Sequence, residues 1–420
     1  MMNDRKLLVV VSVVLLALSL EGAELHGFVD VRGGARLQED TTQDDVSLAE
    51  LRVQMETEAA SDFADFTLRM DVIYDDVMDD RDIDLEEGMG WLDLREASLL
   101  VPFDTMDMKM GRQILTWGTG DLLFINDMFP KDWQAFFIGR DEEYLKAPSD
   151  AVFVSLFPSF MNIDIAYTPR FDSDRYIRGE RISYWNPMLG AVAGQDAVIE
   201  PTVPDDWFDD HEIALRISRN IGGYETALYG YYGFWKNPEG MDAETMIPYF
   251  PELSVYGASV RGPAGNGLLN LEAGYYDSRE EDDGTNPMVP NDEIRGLIGY
   301  EQEIVKNLSC GLQYYIEHIQ DFDGYEAGLQ EGQVGSNEDR HLVTLRLTKQ
   351  AMSQNLVLSL FVYYSPSDED FYARPAASYK ASDNLLLTAG GNIFGGSESH
   401  TFFGQFEDNS NLYAGVRYSY

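Results

Sequence analysis

The residues best placed to act on a solute are cations that recur in one phase of alternating segments: Arg52, Arg69, Lys109, Arg216, Arg295, Arg346 and Arg374, joined by Arg32, Arg36 and Lys380. A guanidinium is a fixed fork of donors that matches carboxylate or phosphate, so a row of them along a wall suits stepwise passage of a small anion. The same phase carries Glu50, Glu56, Asp71, Asp107, Glu272 and Glu301. Pairing of these carboxylates with the cations across neighbouring strands would instead keep a polar interior satisfied. The two readings are compatible, and together they give a transverse field that orients dipolar solutes.

A second concentration of chemistry is the connection from Gly118 to Ser149. It carries Phe124, Phe129, Trp133, Phe136, Phe137 and Tyr144 and is too apolar to lie freely in water. Folded inward, it would bring Arg112, Asp121, Lys131, Asp132 and Arg140 to a constriction. Packing over an opening or against a partner subunit is the alternative. The next long connection, with Trp185, Trp207 and Phe208, offers a second cover.

Catalysis finds no support in the five histidines. His26 and His341 lie at strand starts, His211, His318 and His400 near loop boundaries, and no Ser- or Asp-centred motif points to any of them. The expectation is a protein that is not an enzyme and holds no cofactor. The single Cys310, in the apolar phase of a strand, excludes a disulfide framework and a cysteine-rich metal site.

The elements that must position these groups are strands. Leu412, Ala414, Val416, Tyr418 and Tyr420 alternate with Tyr413, Gly415, Arg417 and Ser419 to the last residue. A period of two puts one wholly apolar face against one polar face, ending in an interfacial aromatic. The pattern repeats in segments of about ten residues or more, with long acidic or glycine-rich connections alternating with tight turns such as Ile221-Gly222-Gly223 and Lys306-Asn307. The count is about eighteen, with sixteen the main competitor and both ends on the short-turn side. In a bilayer core without water every strand must pair on both edges, which only a closed barrel achieves. The expected fold is all-β, a transmembrane antiparallel barrel with an inward-folded third extracellular loop. A soluble sandwich or propeller is the other architecture with this strand spacing.

At the N-terminus, Arg5 and Lys6 precede an apolar run from Leu7 to Leu20 and the small residues Gly22 and Ala23. The run is shorter than the roughly 20 residues of a spanning helix, and reads as a secretory signal peptide over 1–23, cleaved after Ser19 or Ala23. Residues 24–420 then form a single outer-membrane barrel. With 24 Tyr, 22 Phe and 37 Gly, the composition favours a barrel over a set of soluble domains.

The formal charge of −43 argues against nucleic acid as a partner. Asp75, Asp76, Asp79, Asp80, Asp82, Asp84, Glu86 and Glu87 crowd one loop, and Glu280, Glu281, Asp282 and Asp283 another. Such loops make a solvated acidic rim, or bind Ca²⁺ bridging to lipopolysaccharide.

The run "LREASLLVPFDTMDMKMGRQILTWGTGDLLFINDMFPKDW", followed by "YTPRFDSDRY", resembles a porin-like outer-membrane family of uncharacterised function that is similar in places to alginate-export porins. The resemblance spans Leu94 to Tyr176 and departs at Phe129, where the family commonly has Asn before proline. It implies a substrate channel with an inward third loop, and carries over Arg112, Gln113, Trp117, Asp121, Pro130 and Asp132 as elements of that region. The basic interior is also similar in kind to outer-membrane carboxylate channels. The resulting expectation is a passive porin for small hydrophilic solutes, organic acids or acidic saccharides first, in contact with outer-membrane lipid and lipopolysaccharide. A loop-plugged structural or adhesive barrel that binds a partner or Ca²⁺ is the alternative, and assembly into a homo-oligomer is left open.

Overall fold

The computed structural model describes residues 24–78, 83–86, 88, 90–329 and 333–420. The expected signal peptide lies outside them, as do Asp79, Asp80, Asp82 and Glu87 of the acidic loop. Eighteen antiparallel strands pair in chain order into one sheet. They are β1 (Glu24–Arg36), β2 (Val46–Ala60), β3 (Asp65–Asp75), β4 (Leu92–Pro102), β5 (Met106–Gln113), β6 (Ser149–Leu156), β7 (Asn162–Thr168), β8 (Glu212–Ile221) and β9 (Tyr224–Phe234). The second half is β10 (Glu252–Ala264), β11 (Gly267–Ser278), β12 (Glu293–Val305), β13 (Leu308–Ile319), β14 (Asp339–Ala351), β15 (Leu356–Ser365), β16 (Asp370–Lys380), β17 (Leu385–Gly396) and β18 (Asn411–Ser419).

The sheet closes because β1 pairs with β2 on one edge and with β18 on the other. Closure removes the last pair of free strand edges, so every strand has two neighbours. Eighteen strands decide against sixteen. At the seam the Tyr420 amide donates to the Gly27 carbonyl at 3.0 Å, and the Tyr420 hydroxyl donates to the Gln54 carbonyl at 3.0 Å. A Cβ on Gly27 would lie 2.1 Å from that Gln54 oxygen, so the absence of a side chain there is what lets the last residue dock.

Alternation sorts the residues. Val31, Leu51, Tyr74, Leu228, Tyr256, Ile298, Leu312, Val416 and Tyr418 are exposed on the outer face, while Asp30, Arg32, Glu50, Arg52, Asp71 and Glu272 are buried on the inner one. A polar residue buried to this degree needs a partner, so the interior must be built from hydrogen bonds and ion pairs.

Connections alternate between short turns and longer loops except at 366–369, which is as short as the turn 381–384, and the two ends of the described chain share the short-turn side. Loop 3 (114–148) holds a six-residue helix, α1 (Trp133–Ile138), followed by a 3₁₀ turn at Glu142–Leu145. Asp132 caps α1 by accepting from the Ala135 amide at 2.7 Å, and Gly139 ends it with φ 92°, a left-handed value that glycine adopts without strain. Loop 4 (169–211) and loop 5 (235–251) each contain a short two-stranded ladder, Tyr184–Asn186 with Ala191–Ala193 and Gly240–Met241 with Pro248–Tyr249. Loop 7 (320–338) holds α2 (Phe322–Gly328). Among the described residues no helix is long and apolar enough to cross a membrane.

The apolar core lies where loop 3 meets the wall. Phe136 and Phe137 of α1 pack on Tyr372 of β16, Phe394 of β17 and Phe406 of the connection before β18, with Tyr372 stacked on Phe394 at 4.3 Å between centroids. Burying several aromatic rings this way stabilises the loop's position by roughly 1.5–3 kcal/mol per ring.

Candidate functional site

Loop 3 is tied to the inner face of ten strands. From β11, the Glu272 carboxylate accepts from the backbone amides of Thr119 (2.9 Å), Gly120 (3.1 Å) and Asn126 (3.0 Å), from the Thr119 hydroxyl (3.1 Å) and from the Asn126 side chain (2.9 Å). From β13, the Gln313 amide accepts from the Asp121 amide and donates to the Asp121 carbonyl, both at 2.8 Å. Arg346 of β14 forks onto the Asp121 carboxylate at 2.6 and 2.8 Å, and the Tyr363 hydroxyl of β15 donates to the Leu122 carbonyl. Arg374 of β16 faces Glu142, and Asn411 of β18 donates to the Phe137 carbonyl.

Across the barrel, Arg32 of β1 donates to the Gly139 carbonyl and pairs with Asp141. Arg140 pairs with Glu50 of β2 at 2.6 Å, the Tyr144 hydroxyl donates to Asp71 of β3 at 2.8 Å, and Arg95 of β4 donates to the Lys146 carbonyl at 2.7 Å. Arg417 of β18 pairs with Asp141 and Glu143. Loop 4 supports loop 3 from behind: Asp174 accepts from the Lys131 amide and the Trp133 indole, both at 2.8 Å, and Arg175 joins Asp93 at 2.9 Å to Asp132 at 3.3 Å.

Two cavities flank loop 3. The larger, about 780 Å³, is lined by Arg69, Arg95, Lys146, Arg216 and Arg261 together with Glu96, Asp121, Asp127, Glu142 and Glu143, and by Trp117. The smaller, about 330 Å³, holds Arg32, Arg140, Arg346 and Arg374 against Asp141 and Glu142, beside Phe361 and Tyr413. Glu142 belongs to both. In all, nine cations and six carboxylates line the two cavities, and Asp30, Glu50, Glu56, Asp93 and Asp164 of the wall pair with five of those cations.

The residues expected at a constriction divide. Trp117, Asp121 and Arg140 line these cavities. Arg112, Gln113, Lys131 and Asp132 line neither and are buried. Arg112 forks onto Asp150 at 2.9 and 2.7 Å, Gln113 donates to the Ala151 carbonyl, Lys131 pairs with Asp127 at 3.1 Å, and Asp132 caps α1. Pro130 is buried beside them.

Each of the seven ladder cations sits beside a carboxylate. Arg52 meets Glu50 (2.8 Å) and Asp71 (2.6 Å), Arg69 meets Glu56 (2.8 Å), and Lys109 meets Glu96 (2.6 Å). Arg216 faces Asp164 and Glu225, Arg295 faces Glu293 and Glu317, and Arg346 and Arg374 face loop 3. The pairing extends to Arg32 with Asp30 and Lys380 with Asp383, whereas Arg36 donates to backbone carbonyls, including that of Arg181. Glu272, expected to face an arginine, instead binds backbone amides of loop 3, because Gly118 to Asn126 curls its N–H groups around it. Residues that the strand pattern passed over also matter here: Arg95, Arg417, Glu142 and Glu143. The run Asp141-Glu142-Glu143 inside an otherwise aromatic loop was the available signal.

No protein-family model matches this sequence, and no curated protein matches it, so the family resemblance of residues 94–176 rests on its motifs alone. Solved structures do match. OccK11 (OpdR) of Pseudomonas aeruginosa superposes with a TM-score of 0.56 at 9% identity, over 95% of this chain and 96% of that one. The fold is a porin barrel. A loop-deletion mutant of OmpT, an outer membrane protein of Vibrio cholerae, and a triple mutant of the Rhodopseudomonas blastica porin match at TM-scores of 0.44 and 0.41, each at 11% identity over 95% of this chain and 100% of theirs. Within the porin barrel, the described residues contain no group of three or more His, Cys, Asp or Glu side chains that could hold a metal ion.

Proposed function

We propose that this protein is an outer-membrane porin, a passive channel for small hydrophilic solutes whose lumen is narrowed by loop 3, with organic acids or acidic saccharides as the preferred cargo. The observation that carries this reading is the lining of the two cavities, where nine cations outnumber six carboxylates. The acids of loop 3, Asp141, Glu142 and Glu143, stand opposite Arg32, Arg346, Arg374 and Arg417 of the wall. A solute in the cavities beside these pairs meets a transverse field, and an anion is drawn to the wall side. The long loops would face the exterior and touch lipopolysaccharide, and the exposed Tyr and Leu of the outer face would meet lipid. On this reading the barrel moves solutes and catalyses nothing.

Single-channel conductance of the refolded protein under a KCl gradient tests it. Open current with a reversal potential favouring anions is expected. Cation preference would mean that the lining carboxylates dominate. Absence of current in a folded barrel would turn the reading to a plugged, partner-binding barrel.

A further inference from the structure

Glu142 differs from the other carboxylates of the interior. Arg32, Arg52, Arg69, Lys109, Arg140, Arg295 and Arg417 each have a carboxylate oxygen within 3.0 Å. Glu142 lies between Arg346 and Arg374 at 3.5 and 3.7 Å, too far for good hydrogen bonds, and its side chain is 50% exposed. The two guanidiniums are themselves fixed. Arg374 stacks 3.7 Å over the Phe136 ring and Arg346 4.8 Å over Phe361, and Arg346 is forked onto Asp121. Arg374 has a side chain only 10% exposed and its Nε is buried without a hydrogen-bond partner. A buried guanidinium whose carboxylate stands off at this distance is under-satisfied.

We propose that Arg346 and Arg374 form a carboxylate subsite that Glu142 occupies at rest and that a small carboxylate solute enters by displacing it. The inference rests on the channel reading and deepens it. Exchange of one carboxylate for another leaves the charge at the two arginines unchanged, so entry requires no uncompensated buried charge. The displaced Glu142 side chain has space in the larger cavity, which it also lines. A free carboxylate approaches without the tether of loop 3 and can take the forked geometry that Arg374 lacks.

The test is titration of potassium propionate into wild-type and variant channels at constant KCl, read as block of the KCl current. Folding is checked by heat-modifiable mobility in detergent gels. In wild type, Glu142 competes. If it holds the site about nine-tenths of the time, Glu142→Gln lowers the half-blocking concentration about tenfold. Glu142→Asp, which keeps the charge but shortens its reach, falls between the two and serves if the glutamine variant does not fold. Arg374→Gln abolishes the block and leaves the KCl current present. Equal half-blocking concentrations in wild type, Glu142→Gln and Glu142→Asp would overturn the proposal, as would full block in Arg374→Gln. A folded wild-type barrel that passes no current would overturn the channel reading itself.

Discussion

Removing the Glu272 carboxylate should release the first half of loop 3 without unfolding the barrel. Glu272→Ala deletes five hydrogen bonds from Thr119, Gly120 and Asn126. The losses are unequal. Thr119 and Gly120 border the 780 Å³ cavity, where water can replace the carboxylate, whereas Asn126 is buried and its amide would be left bare. A buried donor without an acceptor costs about 1–3 kcal/mol, so with the partly hydrated donors the local loss is roughly 3 kcal/mol. That raises the open population of residues 118–126 roughly a hundredfold. Hydrogen exchange read by mass spectrometry should show that acceleration in peptides covering 118–126, while α1, held by Tyr372 and Phe394, stays protected. Glu272→Gln should give a smaller effect, since its carbonyl still serves one group of donors. Exchange within threefold of wild type in Glu272→Ala would refute the assignment of Glu272 as the anchor of this segment.

Replacing Arg346 and Arg374 together by Gln removes two of the nine lining cations and should shift the reversal potential towards cations; an unchanged potential would count against the basic wall as the source of selectivity. Asp174, in loop 4, has its pKa pushed up to about 6 by burial, with Lys131 opposing the shift. A raised carboxyl pKa means the folded state holds a proton that the unfolded chain releases, so this contribution is complete below about pH 4 and is lost as pH rises through about 6, to a total of roughly 3 kcal/mol. The thermal midpoint should therefore decline from pH 5 to pH 8, with a flatter slope in Asp174→Asn; an equal slope in both would refute it. Gly27→Val forces a side chain against the Gln54 carbonyl and the Tyr420 hydroxyl, at 2.1 and 2.8 Å from its Cβ, and should lower the temperature at which the barrel loses its compact gel mobility.

Strand positions were legible because a period of two records which face is apolar, and that record survives in nearly every segment. The strand ends at Ala264 and Ala351 are harder to read, because there the strands run on through residues that also suit turns. The partners of the polar face were harder. Alternation places Glu272 and Arg346 on the interior but cannot say that one receives backbone amides and the other a loop carboxylate, since both contacts come from a segment more than a hundred residues away in sequence. The conserved chemistry of a guanidinium likewise does not reveal its setting: Arg52 is sealed between Glu50 and Asp71, while Arg374 has a carboxylate only at 3.7 Å. Lys131 and Asp132 read as channel groups because they are charged and lie in a long loop. In the structure Asp132 caps α1 and Lys131 pairs with Asp127 inside loop 3, and a six-residue helix with no acid in its first turn does not announce these contacts in sequence.

The ties between loop 3 and the wall also order the assembly of the molecule. Loop 3 leaves β5, yet its partners Glu272, Gln313, Arg346, Tyr363, Arg374 and Asn411 arrive with later strands. Contacts between residues so distant in sequence form slowly, because the entropy of closing the chain must be met first. The set of partners for loop 3 is therefore complete only when β18 has joined the sheet, and full seating of the loop belongs to the last steps of folding. An intermediate with a completed sheet but an unseated loop would leave Glu272, Gln313 and Arg346 without their partners, so the seating of loop 3 is the step that completes the interior.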